Sequence, residues 1–331
     1  MKLIVQIPCF NEEASLPAVL AGIPRHVEGF TNVEVLVVDD GSTDRTSEVA
    51  REHGADHVVR HTRNQGLARS FRTGLDRSLA LGADVIVNTD GDNQYAGSDI
   101  SRLVRPILAG TADIVVGDRQ TGSIEHFTPV KKKLQALGSW AVRRLSGTPV
   151  PDAVSGFRAI SRDAALHLNI VSRFSYTIEM LIQAGSKQLA IVSIPVGTNP
   201  STRTSRLARS TPHFVSRSLS TMVRIFSMYS PLVTFFYIGV ALLVAGAIPV
   251  VRFIYFYATG EGAGHVQSLV IGGMLAIMGF MTLMIGLLAD LINFNRQLLE
   301  TTLEKVRRIE LSAEQAEAAP EAATQSRAGT R

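Results

Sequence analysis

Asn88-Thr89-Asp90-Gly91-Asp92-Asn93-Gln94 follows directly on the apolar run Asp84-Val85-Ile86-Val87. A short Val/Ile run reads as a buried strand, and the Gly and polar residues after it read as the turn at its end. Residues two apart in an extended chain point the same way. Asp90, Asp92 and Gln94 can therefore present three side-chain oxygens to one point. An all-oxygen set suits a hard divalent cation, Mg or Mn, and such ions commonly share their coordination with phosphates. The plain alternative is an Asp-Gly turn with solvated carboxylates. These residues alone leave both open.

The elements that must position them recur along the first two thirds of the chain. Strand-like runs cover Leu3–Ile7, Val33–Val38, His57–Arg60, Asp84–Asn88, Asp113–Val116 and Leu189–Val196. Helical patterns lie between several of them, over Glu13–Gly22, Thr46–His53, Ala68–Leu81 and Ile100–Ala109. Strand–helix alternation predicts an α/β domain with a mostly parallel sheet and helices on both faces. Ligands bind such sheets at the carboxyl ends of the strands. The polar clusters fall there: Pro8 to Glu12, Asp39 to Asp44, Asp90 to Gln94, and Gly117-Asp118-Arg119. Neither a G-x-G-x-x-G after the first strand nor a G-x-x-x-x-G-K-[ST] is present, which argues against a dehydrogenase and a P-loop ATPase.

Of the 331 residues 46% are hydrophobic, and mean hydropathy is +0.17. That length allows one or two domains. The single cysteine, Cys9, excludes an intramolecular disulfide and reads as a packing residue. Met1-Lys2 runs straight into a strand, without the apolar region of a signal peptide, so the N-terminal domain is expected in the cytosol. The net charge of +4 does not by itself indicate nucleic acid. The arginines lie near the apolar segments, where anionic lipid is the simpler partner.

Leu232 to Val251 carries no charge and has the length of a bilayer span. Arg252 and the aromatic cluster Phe253, Tyr255, Phe256 and Tyr257 follow, and a short glycine-rich loop leads to a second uncharged run, Ser268 to Ala289. Two spans and a tight loop predict a transmembrane hairpin. Arg203, Arg206, Arg209, Arg217 and Arg224 precede it; Arg296, Lys305, Arg307 and Arg308 follow it. The positive-inside rule puts both flanks in the cytosol. Ser210–Tyr229 and Lys131–Leu145 read as basic amphipathic helices lying in the interface. The expected division is 1–208 catalytic domain, 209–230 interfacial helix, 231–293 two spans, 294–312 helical extension and 313–331 disordered tail.

Ile7-Pro8-Cys9-Phe10-Asn11-Glu12, Val37-Val38-Asp39-Asp40-Gly41-Ser42-Thr43-Asp44, Asp90-Gly91-Asp92-Asn93-Gln94 and Ser155-Gly156-Phe157-Arg158 resemble, in this order, the motifs of family 2 glycosyltransferases of the GT-A fold. More narrowly, the chain resembles the polyprenyl-phosphate (dolichyl-phosphate) hexose synthases, over roughly residues 1–230. The resemblance implies that Pro8, Phe10, Glu12, Asp39, Asp40, Asn64, Gly66 and Asp90 hold a nucleotide sugar, a GDP- or UDP-hexose. It implies Asp90, Asp92 and Gln94 as ligands of Mg or Mn. It puts Arg119, Ser155, Arg158 and Arg206 near an acceptor phosphate, with Asp152 orienting Arg158. Catalysis then rests on Asp92, Arg119, Arg158 and Asp152. One departure is Arg206, which stands where the family commonly has lysine; arginine can still fork onto phosphate oxygens.

A phosphate monoester is mostly a dianion at neutral pH and needs no strong general base. The implied reaction is a single inverting displacement that delivers one hexose to a lipid phosphate. The expected partners are the nucleotide sugar, the polyprenyl phosphate and the bilayer, with no nucleic acid; a homo-oligomer is compatible. Two rivals are a processive polysaccharide synthase and a non-catalytic membrane scaffold. The first usually has a Gln-x-x-Arg-Trp motif, and the single tryptophan here, Trp140, is not in one. The second has no need of three aligned oxygen ligands.

Overall fold

The computed structural model describes residues 1–120, 143, 147–148, 150–171, 176–199 and 231–328. Strands β1 (Lys2–Cys9), β2 (Asn32–Asp39), β3 (His57–Arg60), β4 (Val85–Asn88), β5 (Ile114–Asp118), β6 (Arg158–Ser161) and β7 (Ile191–Pro195) form one sheet in the order β3-β2-β1-β4-β6-β5-β7. All neighbours pair in parallel except β6, which is antiparallel to both β4 and β5. The predicted α/β class is the class observed. The sequence reading lacks β6, a four-residue strand whose first residue is an arginine and which shows no apolar run.

β1 is covered on both faces, as its apolar run, broken only by Gln6, requires. Leu3, Val5, Ile7 and Cys9 pack with Leu16, Val19 and Leu20 of α1 (Leu16–Gly22) and with Ile100, Leu103 and Val104 of α4 (Ile100–Leu108). Val49 and Ala50 of α2 (Thr46–Glu52) join that cluster. The alternate residue Gln6 faces α3 (Leu67–Ala80), where its Nε2 donates to the Phe71 carbonyl at 3.4 Å. Helix α1 starts at Leu16 rather than at Glu13, with Pro17 in its first turn, where a missing N–H costs nothing. Two short helices, α5 (Arg162–His167) and α6 (Tyr176–Ser186), follow β6.

β1–α1–β2–α2–β3 runs outward in one direction, and the chain then returns through α3 to place β4 on the other side of β1. The switch of direction between β1 and β4 opens the crevice in which such sheets bind ligands. β6 starts where β4 and β5 end, so residues 155–158 reach the same edge.

Two compact units divide the chain: Met1–Met222 with Thr301–Arg331, and Val223–Glu300. The second holds α7 (Pro231–Ala258), a 3-10 turn (Gly262–His265) and the first part of α8 (Val266–Ala328). Both helices are long and apolar enough to cross a membrane, and only 11% of each most apolar window is buried. Their large apolar side chains, such as Tyr237, Ile248, Ile277 and Ile292, face outward. Glycines bring the two backbones together. A Cβ at Gly239 would lie 3.0 Å from the Gly279 carbonyl, and one at Gly272 would lie 2.7 Å from that of Gly246. Close backbone approach at small residues is how helices pair without a hydrophobic drive between them.

α8 runs helical to Ala328, through most of the stretch read from the sequence as a tail. Its Ala, Glu and Gln are good helix formers and extend a helix already nucleated upstream. The expected surface helices over Ser210–Tyr229 and, apart from Arg143, over Lys131–Leu145 lie outside the described residues, as does Arg206.

Candidate active site

The turns after β1 and β2 are bolted together. Asn11, at φ 55, donates its amide to Ser42 Oγ at 2.9 Å and accepts from the Thr43 amide at 2.8 Å. The Glu12 amide donates to Thr46 Oγ1 at 2.9 Å. Gly41, at φ +70, lies against the next loop; a Cβ there would come within 2.7 Å of Arg63 Cα. Pro8 is buried within β1, whereas Phe10 is partly exposed at its end.

Asp39 and Asp40 differ. Asp39 is fully buried, its oxygens accepting from the Ser42 amide at 2.8 Å and from the Ser47 hydroxyl. The resemblance assigns it to a nucleotide; here its described side-chain contacts are with the β2 turn, with Ser47 of α2 and, at 3.5 Å, with the Arg60 guanidinium of β3. Asp40 accepts from the amides of Gln65 at 2.9 Å and Gly66 at 2.8 Å, and His61 Nδ1 lies 2.8 Å from its Oδ1. Asp40 thereby staples the loop that carries Asn64 and Gly66, and leaves the Asn64 side exposed.

Asp90, Asp92 and Gln94 stand at the end of β4, all partly exposed. The turn between them is built on Asn93 at φ 58, with the Gln94 amide donating to Asp92 Oδ1 at 3.1 Å. Burial foremost, then the Asp92 charge, pushes the Asp90 carboxyl up to about 7, against the pull of Arg119 and Arg158. Gly156 makes room for that carboxylate: a Cβ there would lie 2.7 Å from Asp90 Oδ1. Glu12 is tied to the same turn, with Ser15 Oγ 2.7 Å from Glu12 Oε2 and 2.8 Å from the Gly91 carbonyl. Cys9 packs beneath, its thiol pushed up by burial and by neighbouring carboxylates, and is no nucleophile.

This donor set fits a divalent cation. Two carboxylates lie close enough to repel, and among the described residues no hydrogen-bond donor reaches the Asp90 oxygens. No three acidic, His or Cys side chains form a closed cage among the described residues. Gln94, with water or with oxygens brought by a ligand, would complete the shell, as is usual for Mg.

Arg119 follows β5 and forks onto Asp152, from Nε at 2.7 Å and from Nη2 at 3.0 Å. Burial works against its charge, but Tyr95, Asp152 and Asp90 hold its pKa raised. Asp152 thus orients Arg119, not Arg158 as expected. Arg158 is a second correction. It is fully buried and donates from Nε, Nη1 and Nη2 to the carbonyls of Ser155, Thr177 and Ala153 at 2.8, 2.9 and 2.8 Å. Those bonds turn its guanidinium into the protein rather than toward a phosphate. Ser155 is buried too, its Oγ 3.5 Å from Tyr95 Oη.

Three contributors were not singled out from the sequence. Asn88 accepts from Gln6 Nε2 at 2.9 Å and donates to the Gly156 carbonyl at 2.8 Å and to Tyr176 Oη at 2.9 Å, fixing the turn that packs on Asp90. Tyr95 accepts from the Gly156 amide at 3.0 Å and stacks on Phe157. Asn199 reaches the same turn from beyond β7. Only the polarity of Asn88 inside an apolar run hinted at any of them. A separate cleft of about 590 Å³, lined by Val19, Ile23, Asn93, Tyr95 and Asn199, takes in none of the three carboxylate-turn ligands and no charged residue.

The same stretch of chain carries the likeness to known proteins. Residues 4–168 match the model of Glycosyl transferase family 2. An uncharacterized glycosyltransferase of Mycobacterium tuberculosis is 35% identical over 199 residues, 60% of this chain and 85% of that one. A UDP-N-acetylglucosamine–dolichyl-phosphate N-acetylglucosaminyltransferase of Methanococcus voltae is 31% identical over 213 residues, 58% of this chain and 83% of that one. Glucosyl-3-phosphoglycerate synthase from Mycobacterium tuberculosis, solved with Mn2+, UDP and glucosyl-3-phosphoglycerate, aligns with TM-score 0.54 at 22% identity, over 68% of this chain and 80% of that one. That likeness shows the GT-A fold. Sheet order, the carboxylate turn after β4 and the sequence likeness coincide on one domain, and the chain belongs to glycosyl transferase family 2.

Proposed function

We propose that this glycosyltransferase moves one hexose from a nucleoside diphosphate sugar to a polyprenyl phosphate, with inversion. The observation that carries the reading is the meeting of Asp90 and Asp92 with a forked Arg119 at the switch point of the sheet. Acidic oxygens and a fixed guanidinium on one edge suit a reaction with a diphosphate leaving group and a phosphate nucleophile. The named activity of the Methanococcus voltae relative supports a lipid phosphate as acceptor.

A phosphate oxygen of the acceptor attacks the anomeric carbon, and the bond from that carbon to the diphosphate oxygen breaks, its electron pair leaving with the nucleoside diphosphate. The acceptor is already a dianion, so no side chain need take its proton. A divalent cation held by Asp90, Asp92 and Gln94 would neutralise the departing diphosphate. Arg119, braced by Asp152, would hold the incoming phosphate in line, which is catalysis by placement. Asp40 would hold the loop of Asn64 and Gly66 against the nucleotide. The two long helices are read as a membrane hairpin, with the arginine-rich flanks on the cytosolic side and the lipid acceptor in the same bilayer.

Full-length protein incubated with a polyprenyl phosphate and a panel of GDP- and UDP-sugars, with and without chelator, tests the reading. Metal-dependent formation of a glycosylated lipid phosphate from one donor is expected. Asp92→Ala should lower transfer by at least about a thousandfold, in line with losing a several-kcal/mol electrostatic contribution, while the variant stays folded. Undiminished transfer in Asp92→Ala would reject the cation assignment.

A further inference from the structure

Asn199 lies 106 positions beyond Asn93 in the chain, yet it fastens the turn that separates Asp92 from Gln94. Its Nδ2 donates toward the Asn93 carbonyl at 3.1 Å, Asn93 Oδ1 at 3.2 Å and the Tyr95 carbonyl at 3.2 Å. Its backbone amide donates to the Gln94 carbonyl at 2.9 Å. All three partners of Nδ2 are oxygens in these contacts, so the amide has one sensible orientation. The residues before it continue the strap. Thr198 bridges Tyr95 through the backbone, and the Gly197 amide donates to Asp99 Oδ2 at 2.6 Å.

Asn93 sits at φ 58, in the left-handed region that asparagine enters more readily than other residues with a Cβ, and the bonds from Asn199 fasten both its carbonyl and its side chain there. None of the four bonds from Asn199 touches the side chain of Asp92 or Gln94. Their effect on the site is therefore on the backbone that aims those two side chains.

We propose that Asn199 is a positioning residue for the divalent cation: it holds residues 93–95 in the one shape that points Asp92 and Gln94 at a common centre. The segment after β7 thus helps set cation affinity without supplying a ligand. This rests on the reading of Asp90, Asp92 and Gln94 as the cation's ligands. Removing a group that orients metal ligands commonly costs ten- to a hundredfold in affinity.

The test titrates Mn2+ alone into full-length protein in detergent and follows free Mn2+ by electron paramagnetic resonance. Unfolding midpoints are measured in chelator on the same samples. Wild type should take up Mn2+, Asp92→Ala should not, and Asn199→Ala should bind roughly ten- to a hundredfold more weakly. Thr198→Ala, whose bridge is made by the backbone, should match wild type. Asn199→Ala with wild-type Mn2+ affinity, even at a lower unfolding midpoint, would overturn the positioning role alone. Wild type taking up no Mn2+, or Asp92→Ala binding equally well, would overturn the cation reading and this role with it. Should Asn199→Ala fail to fold, Asn199→Ser keeps one donor and must still bind several-fold more weakly; equal affinity would overturn the role.

Discussion

A carboxyl group raised to about 7 by burial and a neighbouring carboxylate is a cost to the metal-free fold and an asset to a cation site. The sign of the pH effect follows. Between the ordinary value of 3.8 and about 7, folded Asp90 keeps a proton that the unfolded chain has released. Its contribution to stability therefore falls as pH climbs through that window and is lowest above it. Asp90→Asn should raise the unfolding midpoint by roughly 2–8 °C at pH 8 in chelator, raise it progressively less as pH falls toward 4, and abolish transfer. A midpoint at pH 8 equal to that of wild type would contradict the buried-charge account. The two arginines separate in the same way. Arg158→Lys loses the planar three-nitrogen fit to backbone carbonyls and should destabilise the fold by about 3 kcal/mol, read by thermal unfolding. Arg119→Lys loses its fork on Asp152 and should lower turnover much more than the unfolding midpoint.

At the scale of elements, four turns at one end of the sheet are tied to each other rather than to solvent. Asp40 is the clearest tie, one carboxylate accepting from two loop amides with His61 alongside. Hydrogen bonds to a charged acceptor contribute about 1.5–3 kcal/mol each. Asp40→Asn should free the Gln65–Gly66 amides and raise the KM for the nucleotide sugar about tenfold or more. Steady-state kinetics check this, and an unchanged KM would detach that loop from donor binding. The insertion of β6 against the direction of its neighbours matters for the same reason. It delivers Gly156 to the floor beneath Asp90, and Asn88 locks it there.

At the scale of the whole molecule, the paired helices α7 and α8 stand apart in kind from the sheet unit. Their outward faces are apolar and their inward contact is made through glycines. A leucine at Gly279 would drive a branched side chain into the Gly239 carbonyl, which lies 2.9 Å from a Cβ there. Gly279→Leu should separate the helices, seen as faster proteolysis between them in detergent, while nucleotide binding by the sheet unit stays near the wild-type value. Loss of both together would mean that the units do not fold independently.

The features legible in the sequence were those set by neighbours along the chain. Strand and helix periodicity, the Asp-x-Asp-x-Gln turn after an apolar run, and two uncharged stretches of span length are local patterns, and local sterics and hydrophobicity act on them directly. Only the tertiary structure decided which groups meet. Asp152 pairs with Arg119, 33 positions away, while Arg158, six residues beyond Asp152, turns inward onto three carbonyls. Asn199 returns across 106 positions to brace a turn that nothing near it in the sequence points to. Charge and hydrogen-bonding capacity are written in residue types, but a long polar side chain can serve many partners. Which one it takes is settled by the packing that brings distant turns to the same edge of the sheet.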